Sequence, residues 1–427
     1  MNPLQKVIAA ATLGTMVEWA EFTFFAYMAE QLSSLFFPLD HVDWARFKTY
    51  AIFSASYFMR PLGALLFGHM GDRLGRKPAL IASMWLMAIA TMALGLLPTY
   101  KSIGNMAAIG LMLCRFLQSL AVSGEYYGAS VFIFEHSGYK RPFLAGCWPA
   151  FAAAFGMMLG SFAATITSLP SMPSFAWRLP FILSGLTCFL IVYIRRSLTE
   201  TPAFATLVYI RRSLTETPVF ETMPQTQYQS RLPIWQAWQH HKSAMVCAAA
   251  FSMFMAVFAY IGNVYYKTLL VRHGIALHYA AVIITAGQGL AAGLTLVLGF
   301  YADRWGGKRL AISGFLIAGL LAPLIFYSAI QGSLMFAILG QLLYALIHPL
   351  VSAPMFGLIL LQFPANTRYS GSAFASSISA AIFASTSLIF VDLWVASGYS
   401  PLAPGFYISL IGFIAAILVW FSAKKLN

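Results

Sequence analysis

Apolar positions in this chain run unbroken for about 20 residues at a time, and short polar breaks part the runs. A helix rises about 1.5 Å per residue, so such a run matches the ~30 Å hydrocarbon core of a bilayer. Segments of about ten residues with alternating polarity, the mark of a membrane β-barrel, are absent. Helices are then the open-chain way to satisfy backbone polar groups in lipid. The pattern predicts twelve spans, near residues 7–36, 49–70, 79–98, 103–130, 143–167, 179–194, 243–266, 277–302, 310–328, 333–360, 371–396 and 404–423.

Two of the polar breaks are charged, glycine-bearing knots. The first is Gly68-His69-Met70-Gly71-Asp72-Arg73-Leu74-Gly75-Arg76-Lys77, with four charges in six residues. Such a density cannot lie in hydrocarbon, so it forms a tight loop at a membrane face. The second is Gly299-Phe300-Tyr301-Ala302-Asp303-Arg304-Trp305-Gly306-Gly307-Lys308-Arg309. One knot in each half of a multi-span chain signals an internal repeat. The domain expectation follows: a first six-helix bundle over 1–194, a polar linker over 195–242, and a second bundle over 243–427. The linker region holds a tandem repeat, Val192 to Pro202 and again Val208 to Pro218, each reading Val-Tyr-Ile-Arg-Arg-Ser-Leu-Thr-Glu-Thr-Pro. The first copy closes the sixth span. The second has too few apolar residues to cross, and is expected to be a surface helix held by Arg211 and Arg212. A local repeat this complete points to a recent duplication of coding sequence.

Composition agrees with a membrane protein: 60% of the 427 residues are hydrophobic and 9% charged, against about 25% charged in soluble domains. The net charge of +13 does not mark a nucleic-acid binder, because the cations alternate between span ends. One side holds Lys6, both knots, Lys140, Arg141, the linker, Arg368, Lys424 and Lys425; the other holds only Arg46, Lys48, Lys101, Arg178, Lys267 and Arg272. By the positive-inside rule the first side is cytoplasmic, with both termini on it. Lys6 before a long apolar run reads as a retained first span rather than a cleaved leader. The cysteines Cys114, Cys147, Cys188 and Cys247 sit in or beside apolar runs without metal or redox spacing, as small core residues do. No phosphate-binding Gly-x-x-x-x-Gly-Lys-[Ser/Thr] occurs, and no nucleophile–base set sits at a membrane face. The reading therefore carries no cofactor, no metal and no enzyme.

Ionisable groups inside spans are costly, and by default face a polar cavity or a partner. Glu18 and Glu21 lie three apart on one helix face, and Arg115, Gln118 and Glu125 share another. Arg60 lies midway along the second span. In a functional reading Arg115 pairs with a substrate carboxylate and Glu21 or Glu18 takes a proton, so that substrate arrival changes the partner Arg115 holds. In a structural reading the same groups form a static pair between helices. The second half offers Tyr260, Asn263 and Lys267, then Gln341, Tyr344 and His348, each set at helical spacing. They complete a polar lining or bond helix to helix. In the knots, Asp72 can cap a helix N-terminus, and Arg73, Arg76 and Lys77 can bind carbonyls, acidic residues or lipid phosphates.

Five stretches carry a family resemblance: Gly14 to Phe22 with Glu18-Trp19-Ala20-Glu21-Phe22; Phe58-Met59-Arg60-Pro61-Leu62-Gly63 leading into the first knot; Arg115 to Ala129 with Ser123-Gly124-Glu125-Tyr126-Tyr127-Gly128; the Arg195 to Pro202 segment; and Phe363-Pro364 followed by Arg368-Tyr369-Ser370-Gly371. Together with the paired knots they resemble the metabolite:proton symporters of the major facilitator superfamily, whose members carry betaine and proline, shikimate, α-ketoglutarate or citrate. The family pattern Glu-Trp-Tyr-Asp-Phe is altered here at Ala20 and Glu21, Gly-Gly-Glu has become Ser123-Gly124-Glu125, and Ser119 stands where Gly is usual. The resemblance implies an all-α membrane protein of the major facilitator fold, with twelve transmembrane helices in two pseudo-symmetric six-helix bundles. It also implies that Gly68, Asp72, Arg73, Gly75, Arg76 and Lys77, with Asp303 and Arg304, latch the halves together. The expected function is proton-coupled uptake of a small polar metabolite, an organic acid or zwitterionic osmolyte, by alternating access. Rival readings are an uncoupled facilitator or exporter of the same fold and a non-transporting sensor. Expected partners are the small-molecule substrate, protons and membrane lipids, with no nucleic acid. The expected protein is a monomer in a cell membrane, a bacterial inner membrane.

Overall fold

The computed structural model describes residues 3–38, 42–167, 169, 171–202, 205, 233–396, 398 and 400–423, and every regular element among them is a helix. The helices that build the two bundles are α1 (Pro3–Tyr27), α2 (Met59–Arg73), α3 (Arg76–Leu96), α4 (Met106–His136), α5 (Pro142–Thr167), α6 (Leu179–Arg196), α7 (Lys242–Ala259), α8 (Leu277–Trp305), α9 (Gly307–Ile330), α10 (Leu334–Leu361), α11 (Arg368–Ala396) and α12 (Ala403–Ser422). Helix Val42–Ser56 leads into α2, and the two make one span, Phe47–Arg73. Among the described residues ten spans are long and apolar enough to cross a membrane. Two further long helices are α1, which carries Glu18 and Glu21, and α11.

The packing repeats. In the first half α1 packs on α5, α2 on α4, and α3 on both α4 and α6; in the second, α7 packs on α11, α8 on α10, and α9 on both α10 and α12. Between the halves α2 meets α11 and α5 meets α8, again a matched pair. These correspondences are what a pseudo-twofold axis between two six-helix bundles produces.

Small residues allow close approach in the absence of a hydrophobic drive between helices. A Cβ on Gly156 or Gly160 of α5 would collide with the carbonyls of Met16 or Ala20 of α1. Each knot turns at a glycine of positive φ, Gly75 at 123° and Gly306 at 89°, just before α3 and α9 begin. A side chain there would be strained.

Three details differ from the sequence pattern. The first span, expected over 7–36, breaks at Met28 into α1 and a short helix Ala29–Phe36. The fourth runs on to His136, because Glu135 is buried rather than solvated. After α7 comes a π-helix, Tyr260–Tyr265, followed by helix Tyr266–Arg272. Lys267 is thereby shifted out of simple helical register with Tyr260 and Asn263, and its Nζ lies 4.3 Å from the centre of the Tyr27 ring. The second repeat copy, with Arg211 and Arg212, lies outside the described residues.

Candidate functional site

A cavity of about 70 Å³ lies between the halves, room for a handful of waters at ~10–15 Å³ each. Trp19, Tyr57, Arg60, Tyr126 and Tyr127 wall it on one side; Ser252, Tyr260, His348, Ser352 and Ser376 wall it on the other. Arg60 is the charged residue of this lining. Its guanidinium carbon sits 4.1 Å from the Tyr57 ring centre, 4.8 Å from Phe22 and 5.9 Å from Trp19. Aromatic faces attract a cation by about 0.5–2 kcal/mol each, more when water is excluded. Among the described residues no carboxylate lies at ion-pair distance from Arg60, and its Nε is buried without a hydrogen-bond partner. The Tyr57 and Tyr260 hydroxyls bond to each other across the two halves.

Behind this wall, inside the first bundle, Arg115 Nη1 donates to Glu21 Oε1 at 2.9 Å and to Gln118 Oε1 at 2.9 Å. Gln118 Nε2 donates to the same Glu21 oxygen at 2.9 Å and to Thr91 at 3.0 Å. Phe22 separates the two cations: its ring centre lies 4.8 Å from Arg60 and 4.4 Å from Arg115. Phe25 covers Arg115 at 4.3 Å. Glu21, Arg115 and Gln118 thus come together as a unit, but outside the cavity lining. Arg115 Nε and Nη2 and Glu21 Oε2 are buried without hydrogen bonds, as are both oxygens of Glu18, one helical turn before Glu21. Glu125 has a different partner. Both its oxygens accept from Arg195 of α6, which also donates to the carbonyls of Ala10 at 3.3 Å and Leu80 at 3.4 Å.

In the second half Asn263 Nδ2 donates to the Tyr344 hydroxyl at 2.7 Å, and Gln341 Nε2 to Asn263 Oδ1 at 3.2 Å. This cluster lies outside the cavity lining too, whereas Tyr260 and His348 line it. His348 Nδ1 is 3.3 Å from Ser352 Oγ, and its ring stacks with Phe258 and tilts against Tyr344.

The knots lie at one end of the molecule and repeat the same geometry. Asp72 accepts from the backbone N–H of Tyr369 at 3.4 Å and Ser370 at 2.9 Å, in the first turn of α11. Asp303 accepts from Phe143 at 3.0 Å and Leu144 at 3.1 Å, in the first turn of α5. A carboxylate at a helix N-terminus meets unsatisfied donors and the positive end of the dipole. Around the first knot, Arg76 pairs with Asp72 at 3.2 Å and with Glu135 at 3.1 Å, and Arg368 reaches Glu135 at 2.9 Å. Arg76 also donates to the carbonyls of Gly71 and, from the other half, Ala365. Glu200 accepts from the N–H groups of Arg76 and Lys77, both at 3.1 Å, and Thr201 Oγ1 donates to Glu135 at 2.7 Å. Lys77 Nζ binds the Arg196 carbonyl at 2.8 Å. The first repeat copy is therefore built into the contacts around the first knot. A Cβ on Gly68 would meet the Ser370 backbone. The second knot is plainer, with Arg304 over the Phe300 ring at 4.5 Å.

Asp72→Asn would turn a donor toward the α11 amides and remove one of the carboxylates around Arg76. Spin labels at Leu74→Cys and Asn366→Cys are expected to show a longer, broader distance distribution in that variant. An unchanged distribution would show that Asp72 does not hold the two halves together at this end.

The sequence did not single out Trp19, Tyr57, Tyr126 and Tyr127 as cavity wall, nor Glu135, Arg195 and Glu200 as ion-pair and cap partners. A signal existed for some: Glu135 and Arg195 are ionisable residues at the ends of long apolar runs.

Residues 22–387 match the family model described as Major Facilitator Superfamily. The chain is 29% identical over 423 residues to the proline/betaine transporter of Salmonella typhimurium, covering 97% of this chain and 82% of that one. It is also 29% identical to the glycine betaine/proline/ectoine/pipecolic acid transporter OusA of Dickeya dadantii, covering 99% and 84%. Among solved structures it resembles the proton:xylose symporter XylE bound to 6-bromo-6-deoxy-D-glucose, with a TM-score of 0.77 at 17% identity over 98% of this chain and 95% of that one. At that identity the likeness concerns the fold.

Proposed function

The chain belongs to the major facilitator superfamily, a family of membrane transporters, and on that premise we propose that it takes up a small zwitterionic carboxylate together with a proton. The observation that carries the reading is Arg60: a buried guanidinium, 5% exposed, set in an aromatic collar on the cavity wall without a carboxylate partner among the described residues. A substrate carboxylate supplies the missing partner in a charge-assisted pair. Trp19, Tyr126 and Tyr127 offer aromatic faces to a substituted ammonium at the substrate's other end. The names of the proline and betaine carriers among its relatives support the same chemistry. Arg115, assigned to the substrate on sequence grounds, is here given to the proton relay with Glu21.

Proton binding is proposed at Glu21 and Glu18. A proton on Glu21 removes the charge that holds Arg115, while Phe22 lies against both Arg115 and Arg60, so the two events share one wall. Gln118 orients the pair, and Glu125 holds α4 to α6. Asn263, Gln341 and Tyr344 support the opposite wall from behind, with Tyr260 and His348 in contact with the cavity. The bundles, over 1–194 and 243–427 with 195–242 as linker, rock about this cavity. The knot end is assigned to the cytoplasm with both termini, by the cation bias. We take the unit to be a monomer in a cell membrane.

In proteoliposomes with an imposed pH gradient, labelled betaine or proline is expected to accumulate. Glu21→Gln is expected to abolish gradient-driven uptake while sparing exchange. Driven uptake that survives in Glu21→Gln would refute the proton assignment, and accumulation without any response to the gradient would favour an uncoupled facilitator.

A further inference from the structure

The geometry points to a pair of reciprocal aromatic bolts, Tyr369 and Phe143, that lock the two bundles together at the knot end. Each is the residue whose backbone N–H donates to the carboxylate of a knot: Tyr369 to Asp72, Phe143 to Asp303. Each then inserts its ring into glycine-lined space in the opposite bundle. A Cβ on Gly71 of α2 or Gly128 of α4 would overlap the Tyr369 ring or hydroxyl; a Cβ on Gly307 of α9 or Gly357 of α10 would overlap the Phe143 ring. Tyr369, from α11 in the second half, is 0% exposed, and Phe143, from α5 in the first, is 7% exposed. Two pairs of the helices involved correspond under the pseudo-twofold, α11 with α5 and α4 with α10, while the remaining glycines lie on α2 and α9.

Capping alone fixes where the helix ends lie. The rings add depth, because a bundle cannot tilt away at this end until both rings leave their slots. Tyr369 holds more firmly, since its hydroxyl donates to the Gly124 carbonyl. Gly124 is followed by Glu125, which holds Arg195, and by Tyr126 and Tyr127, which wall the cavity. A shift of that stretch on substrate binding reaches Tyr369 through one carbonyl. Tyr369 is thus a positioning residue for the transport cycle: it acts on the latch, not on substrate. The inference needs only two bundles that rock, and is independent of the substrate and of proton coupling.

Sidedness of the cavity tests it. A reporter cysteine, Ala380→Cys, stands in the cavity wall, and Leu74→Cys, exposed in the first knot, marks which vesicle face carries the latch. An impermeant maleimide is applied from either face, without substrate. Tyr369→Ala, Phe143→Ala and Gly128→Ala are each expected to raise latch-side labelling of the reporter by about tenfold and to lower labelling from the other side, as a population shift does. Tyr369→Phe, which keeps the ring, is expected to fall between wild type and Tyr369→Ala. Labelling that stays unchanged, or rises equally from both faces as general loosening would give, overturns the proposal. If Tyr369→Ala does not fold, Phe143→Ala and Tyr369→Phe decide by the same criterion. The Leu74→Cys control separates a wrong orientation from a wrong bolt.

Discussion

Arg60→Ala is expected to raise the KM for a carboxylate substrate at least about thirtyfold, because truncating one partner of a desolvated, hydrogen-bonded charge pair costs about 2–5 kcal/mol. The variant should still fold. Among the described residues no carboxylate is ion-paired to Arg60, so its removal breaks no internal salt bridge, and the rings that flank it remain. Arg60→Lys keeps the charge but loses the planar fork and its stacking on Tyr57 and Phe22, so it should lie between wild type and alanine. Arg115→Ala should differ in kind. It leaves Glu21 buried with only Gln118, and its damage should appear in folding or in driven uptake rather than in KM alone. Counterflow rates over a substrate series, on protein shown to be folded by size exclusion, separate these outcomes. A folded Arg60→Ala with wild-type KM would remove Arg60 from substrate binding.

The second large effect concerns stability. Arg195→Met leaves Glu125 buried, with its guanidinium partner gone and the carbonyls of Ala10 and Leu80 deprived of a donor. Removing one partner of a buried pair costs about 3–5 kcal/mol. At about 2 °C per kcal/mol, taken from soluble domains, the melting temperature should fall on the order of 5–10 °C. Replacing both partners, Arg195→Met with Glu125→Leu, removes the stranded charge and should recover most of that loss. A double variant no more stable than Arg195→Met would show that the pair is not what the single change disrupts.

Much of the fold was legible in the sequence because membrane helices must be apolar along their length and knots must not be. Span number and the matched knots follow from that contrast alone. The knot contacts were legible for the same reason: Asp72 and Arg76 stand where hydrocarbon forbids them, and they cap and pair accordingly. The cavity was less so. Spacing put Glu21 on one face and Arg115 on another, and the structure does join them. Spacing does not say whether that junction opens on the cavity or lies behind a ring such as Phe22. Arg60 looked like one more mid-span cation; its significance comes from three aromatic side chains, two of them outside its own span, and from having no ion-paired carboxylate among the described residues. The π-turn at Tyr260 gives no composition signal, because it is a matter of how one backbone segment is wound.

The first repeat copy has a consequence for how readily this gene can change length. Its contacts involve Arg195, Glu200 and Thr201, and the second tract encodes the same three residues at the same spacing. Unequal crossing-over or polymerase slippage between the tracts would excise one register unit in a single event. Whichever tract is lost, the survivor still follows the apolar stretch ending at Ile191 and still presents an arginine, a glutamate and a threonine in order. Contraction would therefore leave the residues that make these contacts in place.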